Sequence, residues 1–275
     1  MSKTWFVTGA SRGFGRSFVQ AALQRGDRVA ATARDTSSLE DLAKEHGEAL
    51  LRLALDVTDR AADFATVDRA FAELGTIDVV VNNAGYGLRG AAEEASADEL
   101  RAQVETNLYG AIWVTQAALP HLRAQGSGHI VQISSIGGVA GFPTNAAYHA
   151  SKWGLEGWTE SMAQEVAPFG IKVTIVEPSG FRTDWGVASR QDTATHLAEY
   201  DEILERNSDG SWPRGAPPAG DPDKAAQALL QIVDMPEPPL RLLMGNMAYD
   251  VALQRWSLRS ELAREYEALS RGTDD

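Results

Sequence analysis

The sequence predicts an α/β fold: one doubly wound parallel sheet of about seven strands with helices on both faces. Three observations lead there. Short apolar runs alternate with amphipathic segments from one end of the chain to the other. Most of the runs are continuously apolar, as strands buried on both faces require. Repeated strand–helix alternation then implies right-handed βαβ units in a parallel sheet.

The strand candidates in order are Trp5–Thr8, Arg28–Ala33, Leu50–Leu55, Ile77–Asn82, His129–Ser134, Lys172–Val176 and Leu240–Met244. Between them the apolar spacing predicts helices near Gly15–Arg25, Ala61–Leu74, Ala97–Arg123, Ala147–Val166 and Pro222–Val233. Two places depart from the alternation. Residues 186–220 form an insertion with a short helix expected over Ala194–Arg206 and a Pro/Gly-rich stretch from Trp212 to Gly220. Insertions of this length in compact domains are often lids. The tail, Met247 to Ser270, reads as a C-terminal helix. No linker separates a second domain, so residues 1–275 are expected to form a single domain.

Composition narrows the function. With no cysteine, disulfides, thiolate metal sites and a cysteine nucleophile are excluded. Five scattered histidines lack metal-ligand spacing, so no metal is expected. A net charge of −13, with acid concentrated in Asp192 to Asp209 and at Asp274-Asp275, argues against nucleic acid. No run of eighteen apolar residues offers a membrane span. The first residues enter a strand pattern at once, leaving no room for a signal peptide, and a cytoplasmic location is expected.

The chemistry concentrates at predicted strand ends. The first strand runs into Thr8-Gly9-Ala10-Ser11-Arg12-Gly13-Phe14-Gly15. Glycines at such a turn let backbone N–H groups approach a pyrophosphate at a helix N-terminus. The second strand ends at Ala33-Arg34-Asp35, where an acidic residue would suit the ribose hydroxyl of NAD and an arginine the 2′-phosphate of NADP. Arg12 and Arg34 could converge on that dianion, which favours NADP(H) over NAD(H). Asp56-Val57 and Asn83-Ala84-Gly85 close the third and fourth strands, where Asp56 can accept from an adenine amino group and the Asn-Gly turn can pass close to a ribose. The fifth delivers Ser135, thirteen residues before Tyr148. Tyr148 and Lys152 stand four apart on a predicted helix, stacked on one face, where an ammonium favours phenolate and prepares a proton donor or acceptor. No Gly-x-Ser-x-Gly elbow supports an acyl-transfer role for Ser135. His149 points about 100° away from Tyr148 on the helix and reads as structural.

Together, Thr8-Gly9-x3-Gly13-x-Gly15, Asn82-Asn83-Ala84-Gly85, Asn107, Ser135 and Tyr148-x3-Lys152 resemble the short-chain dehydrogenase/reductase family over nearly the whole chain. The resemblance implies a Rossmann fold and an NADP(H)-dependent oxidoreductase acting on a secondary alcohol or its ketone/aldehyde. Tyr148 would be the acid/base, Ser135 would orient the substrate oxygen, and Lys152 would lower the tyrosine pKa while binding the nicotinamide ribose. Asn107 would hold a water linking Lys152 to solvent. Pro178, Ser179 and Thr183 would meet the nicotinamide side of the cofactor, with Ser179 standing where the family usually has glycine. Were φ positive there, a serine would be strained. The family also hosts dehydratases and epimerases, and a non-catalytic redox sensor remains a further reading of the same residues. Homodimers or homotetramers through Ala97–Arg123 and Ala147–Val166 are common in the family; Trp113, Trp153 and Trp158 are expected to pack cores or interfaces. Trp185, Leu197, Tyr200 and Trp212 are expected to place apolar surface over the site, which points to an apolar or aromatic carbonyl or alcohol substrate.

Overall fold

A computed structural model describes residues 2–183, 189–206 and 219–274. Seven parallel strands form the central sheet: β1 (Thr4–Val7), β2 (Arg28–Ala33), β3 (Leu50–Ala54), β4 (Val79–Asn82), β6 (Gly128–Ile133), β7 (Ile171–Pro178) and β9 (Arg241–Met244). Their spatial order is β3-β2-β1-β4-β6-β7-β9. The chain order therefore reverses between β1 and β4, and ligands of open parallel sheets bind outside the carboxyl ends at such a reversal.

Alternate residues along each strand feed two cores. Trp5 and Val7 face the layer of α1 (Gly13–Gln24) and α8 (Pro222–Asp234). Phe6 faces the opposite layer, built from α3 (Arg60–Leu74), α5 (Gly110–Gln125) and α6 (Ala146–Val166). Trp158 packs on this second core, as expected for a structural tryptophan. Helix starts follow local chemistry. Asp59 accepts from the Ala61 and Ala62 N–H groups at 3.0 Å to open α3, and Asp221, followed by Pro222, opens α8.

Five features differ from the sequence expectation. A further helix, α2 (Glu40–His46), lies between β2 and β3. The helix expected over Ala97–Arg123 divides into α4 (Ala97–Val104) and α5, joined by a π-helical turn at Glu105–Tyr109. Wide turns of this kind re-aim side chains and often mark functional positions; this one carries Asn107. The helix expected over Ala194–Arg206 is reduced to α7 (Asp201–Arg206) after a single 3₁₀ turn. The Ala194 and Leu197 N–H groups donate to Glu99 and Glu94, each at 2.8 Å, which fastens a non-helical stretch ending at extended Leu197 to α4 and the loop before it. Just upstream, β8 (Arg190–Asp192) pairs with β5 (Gly87–Arg89) in a small second sheet. The tail forms α9 (Asn246–Glu265) and α10 (Glu267–Arg271), interrupted at Tyr266.

Candidate active site

The carboxyl ends of the strands open onto a cavity of about 1320 Å³. It is lined by Gly9, Ser11, Arg12, Gly13 and Phe14 from the glycine turn, by Arg34, Asp56 and Val57, and by Asn83, Ala84 and Gly85. Ser135, Tyr148, Lys152, Pro178, Ser179 and Thr183 line the same cavity. One fold-determined space thus gathers nearly all the residues singled out from sequence. Gly15 and Asn107 lie in its supporting layer.

The turn is built by close approach. Gly9 and Gly13 take φ of +66° and +54°, which glycine adopts without strain. A side chain at Gly15 would bring its Cβ within 2.3 Å of the Gly9 carbonyl oxygen and 2.5 Å of Asn83 Nδ2. That amide donates to the carbonyls of Thr8 (3.0 Å) and Gly9 (3.1 Å), while Thr8 Oγ1 accepts from the Asn83 and Ala84 N–H groups. The end of β4 is thereby locked onto the turn, and α1 begins with exposed Arg12 in extended conformation. The cradle at a twelve-residue helix N-terminus fits a pyrophosphate.

Arg34 is also exposed, and among the described residues neither it nor Arg12 has an ion-pair partner. Asp35, which could have offset Arg34, instead accepts from the N–H (2.9 Å) and hydroxyl (2.8 Å) of Ser37, and these bonds hold its carboxyl below the ordinary range. Asp56 is bound by the Thr58 N–H and hydroxyl.

Ser135 caps the turn after β6, accepting from the Gly137 N–H at 3.0 Å, and shares the cavity wall with Tyr148, whose phenolate its hydroxyl favours. Lys152 follows one turn along α6 and donates to the Ile133 carbonyl at 2.7 Å, with Nζ 5.8 Å from the Tyr148 ring centroid. Tyr148 and Lys152 are buried. Burial pushes the phenol up to about 12; the Ser135 hydroxyl works against this and the charge of Glu156 adds to it. The sequence predicts that Lys152 depresses the phenol; in the structure desolvation dominates. Desolvation also brings Lys152 down to about 8, resisted by Glu156.

Asn107 is 1 % exposed and its amide is spoken for. Oδ1 accepts from the Tyr86 N–H (3.0 Å), while Nδ2 donates to the Tyr86 carbonyl (2.8 Å) and to Ser151 Oγ (3.2 Å). Its evident work is to clamp the loop after β4 onto α6. It does stand near the lysine, since a Cβ at Gly85 would lie 3.1 Å from Asn107 Oδ1 and 3.8 Å from Lys152 Nζ.

Ser179 resolves the departure from the usual glycine. Thr144 is the non-glycine with positive φ among the described residues, so Ser179 carries no such strain. Its N–H and hydroxyl both donate to the Met244 carbonyl, tying β7 to β9. Thr183 lies across from the glycine turn, its Cβ 3.8 Å from where a Cβ at Gly13 would stand. His149 is structural, as expected: Nδ1–H donates to the Gly137 carbonyl and Nε2 accepts from the Phe142 N–H. Its pKa is lowered, foremost by burial.

The expected apolar cover is not built as read. Leu197 and Tyr200 are absent from the cavity wall; the Leu197 N–H donates to Glu94 and the Tyr200 hydroxyl to Glu93 at 2.7 Å. Trp185 and Trp212 lie outside the described residues. Other apolar groups line the cavity instead: Phe142, Pro143, Leu243 and Met247. The last two come from the junction of β9 and α9, whose Gly245-Asn246 turn at a strand's carboxyl end was the available sequence signal. Ser134 and Glu156 were likewise missed.

Comparison with known proteins identifies the family of this fold. A family model described as short chain dehydrogenase matches residues 3–194. The chain is 41 % identical over 271 residues to oxidoreductase BOA17 of Botryotinia fuckeliana, spanning 98 % of both proteins. A crystal structure of a short-chain dehydrogenase from Streptomyces avermitilis superposes with a TM-score of 0.92 at 41 % identity, covering 99 % of this chain and 98 % of that one. More distant structures include a metagenomic short-chain oxidoreductase in complex with NADP (28 %, TM-score 0.71, covering 89 % and 97 %). A 3-ketoacyl-(acyl-carrier-protein) reductase from Brucella melitensis complexed with NADH is similar too (27 %, 0.73, covering 88 % and 96 %). With the family model covering well over half its length and a full-length relative at this identity, the chain belongs to the short-chain dehydrogenase family.

Proposed function

We propose that this protein is an NADP(H)-dependent oxidoreductase that interconverts an alcohol, secondary or primary, and its ketone or aldehyde, with Tyr148 as the acid/base. The observation that carries the reading is that Ser135, Tyr148 and Lys152, the last two one helical turn apart, line the same cavity as the glycine turn. Gly9, Ser11, Gly13, Phe14 and Gly15 would hold the pyrophosphate side of the dinucleotide, Arg12 and Arg34 the 2′-phosphate, and Asp56 and Val57 its adenine. Asn83, Ala84, Gly85, Tyr148 and Lys152 would hold the riboses, and Pro178, Ser179 and Thr183 the nicotinamide side. The preference for the phosphorylated cofactor rests on two exposed arginines lining one cavity while Asp35 is engaged by Ser37. When bound, the dinucleotide supplies or accepts the hydride.

The chain's own residues manage the proton. At neutral pH the buried phenol is protonated, so Tyr148 is set to give its proton to a carbonyl oxygen as that oxygen gains charge. Ser135 holds the same oxygen by hydrogen bonding. Lys152, still mostly charged below pH 8, favours the phenolate that remains. Asn107 keeps the loop carrying Tyr86 against α6 and so fixes this geometry. Phe142, Pro143, Leu243 and Met247 would favour a substrate with an apolar or aromatic body. Tyr109 and Trp153, exposed on the surfaces of the π turn and α6, suit association into a homodimer or homotetramer through those elements.

Tyr148→Phe tests the assignment. It removes the transferable proton at little steric cost, and turnover of a carbonyl panel with NADPH is expected to fall by roughly 10²–10⁴ with NADPH binding retained. Undiminished turnover in Tyr148→Phe would overturn it.

A further inference from the structure

Behind the acid/base pair lies a cluster of charges that the mechanism above does not use. Tyr148, Lys152 and Glu156 succeed one another at four-residue spacing along α6, and Glu156 is 4 % exposed. Its Oε1 accepts from Ser134 Oγ at 2.5 Å, and Ser134 immediately precedes Ser135. Its other oxygen is paired with Arg241 of β9. Arg241 reaches Glu177 of β7 at 2.7 Å and Glu160 of α6 at 2.9 Å. The space is reserved for this carboxylate: a Cβ at Gly138 would fall 2.0 Å from Glu156 Oε1 and 2.6 Å from Ser134 Oγ. Glu156 thus joins α6, the end of β6 and the turn behind Ser135 at a single point.

We propose that Glu156, held by Arg241, is a positioning residue that fixes Ser134–Ser135 against α6 and keeps Lys152 charged at the pH where the enzyme works. This rests on the reading of Tyr148 and Lys152 as the acid/base pair. The charged and titratable groups around the pair are Glu156, Glu160 and neutral His149 on α6, Glu177 on β7 and Arg241 on β9. One guanidinium, Arg241, serves three carboxylates, so acidic groups outnumber basic ones in the cluster. Burial and Glu156 push the Glu177 carboxyl up to about 7 while Arg241 works against both. A buried ammonium beside such a cluster retains its proton to higher pH than burial alone allows. Glu156 raises both Lys152 and Tyr148, so removing its charge moves both titrations toward acid.

The test follows Lys152 directly in the full-length protein. In lysine labelled with ¹³C at Cε, its NMR resonance is identified by its loss in Lys152→Met and titrated against pH. Glu156→Gln is expected to move the midpoint toward acid by about one pH unit, and Glu156→Asp, which keeps the charge, to restore most of it. Should Glu156→Gln fail to fold, Glu156→Ala, which leaves Arg241 paired with Glu160 and Glu177 and frees room beside Gly138, is expected to show the same acid shift. A midpoint unmoved in the folded variant overturns the proposal. The acid shift in a protein that turns over no carbonyl or alcohol would uphold the electrostatic role and remove only the acid/base reading on which it rests.

Discussion

Replacing Gly15 by alanine tests how the cofactor cradle is built. The added Cβ would meet the Gly9 carbonyl oxygen at 2.3 Å, its carbon at 2.9 Å and Asn83 Nδ2 at 2.5 Å. None of these is the yielding end of a flexible side chain, because Asn83 Nδ2 is pinned by the Thr8 and Gly9 carbonyls. The turn must therefore shift by several tenths of an ångström, and overpacking of this kind costs about 1–3 kcal/mol. Losing the Asn83 bond to Gly9 adds about 1 kcal/mol, against a gain of about 0.5–1 kcal/mol from replacing glycine in a helix. The net loss of about 1–3.5 kcal/mol lowers the melting temperature by roughly 2–14 °C at this chain length. Gly157→Ala on α6 is the control, since that helical glycine is exposed and has no neighbour within 4 Å of the added Cβ. It should hold or slightly raise the melting temperature. Calorimetry of both variants, with NADPH titrations alongside, is the assay. A Gly15→Ala protein as stable as wild type, with unchanged NADPH affinity, would refute the close approach of α1 to the β4 loop.

Asp63 is buried with no hydrogen-bond partner for either carboxylate oxygen among the described residues, and burial, with Asp59 and Asp56 adding to it, pushes it up to about 8. The native state then binds a proton that the unfolded chain releases near pH 4, so Asp63 makes stability fall as pH rises from about 4 to 8. Urea denaturation at pH 5 and pH 7.5 should show that fall in wild type and a flatter profile in Asp63→Asn; equal slopes would remove Asp63 as its source. Ser179→Gly should lower stability by about 1 kcal/mol through loss of the hydroxyl bond to Met244, and a stabilised variant in the same denaturation would contradict that. Sedimentation of the native protein should give a dimer or tetramer, and Trp153→Glu on the exposed face of α6 should reduce it to monomer; a protein monomeric throughout would withdraw that surface.

The parts of this protein that could be read in advance are those where one residue type answers one local demand. The continuous apolar strands encode burial on both faces, and the parallel order with its reversal between β1 and β4 follows from strand–helix alternation. The glycine turn, Ser135, Tyr148 and Lys152 were legible because each stands at a strand's carboxyl end or on one helical face. What escaped depends on partners remote in sequence. The break at Asn107 is fixed by main-chain groups of Tyr86, the shortened helix before α7 by Glu94 and Glu99, and the raised Tyr148 phenol by burial. The Glu156–Arg241 pair spans eighty-five residues and leaves no local pattern.

The central claim is that this cavity binds a phosphorylated nicotinamide dinucleotide through its glycine turn and two arginines. Titration with NADPH and NADH, followed by nicotinamide fluorescence in wild type, Arg12→Ala and Arg34→Ala, tests it most directly. Charge-assisted bonds worth about 1.5–3 kcal/mol each predict a preference for NADPH that drops at least tenfold in either variant while NADH binding stays level. Equal binding of both dinucleotides, unmoved by either substitution, would contradict the phosphate site, and binding of neither would contradict the oxidoreductase reading itself.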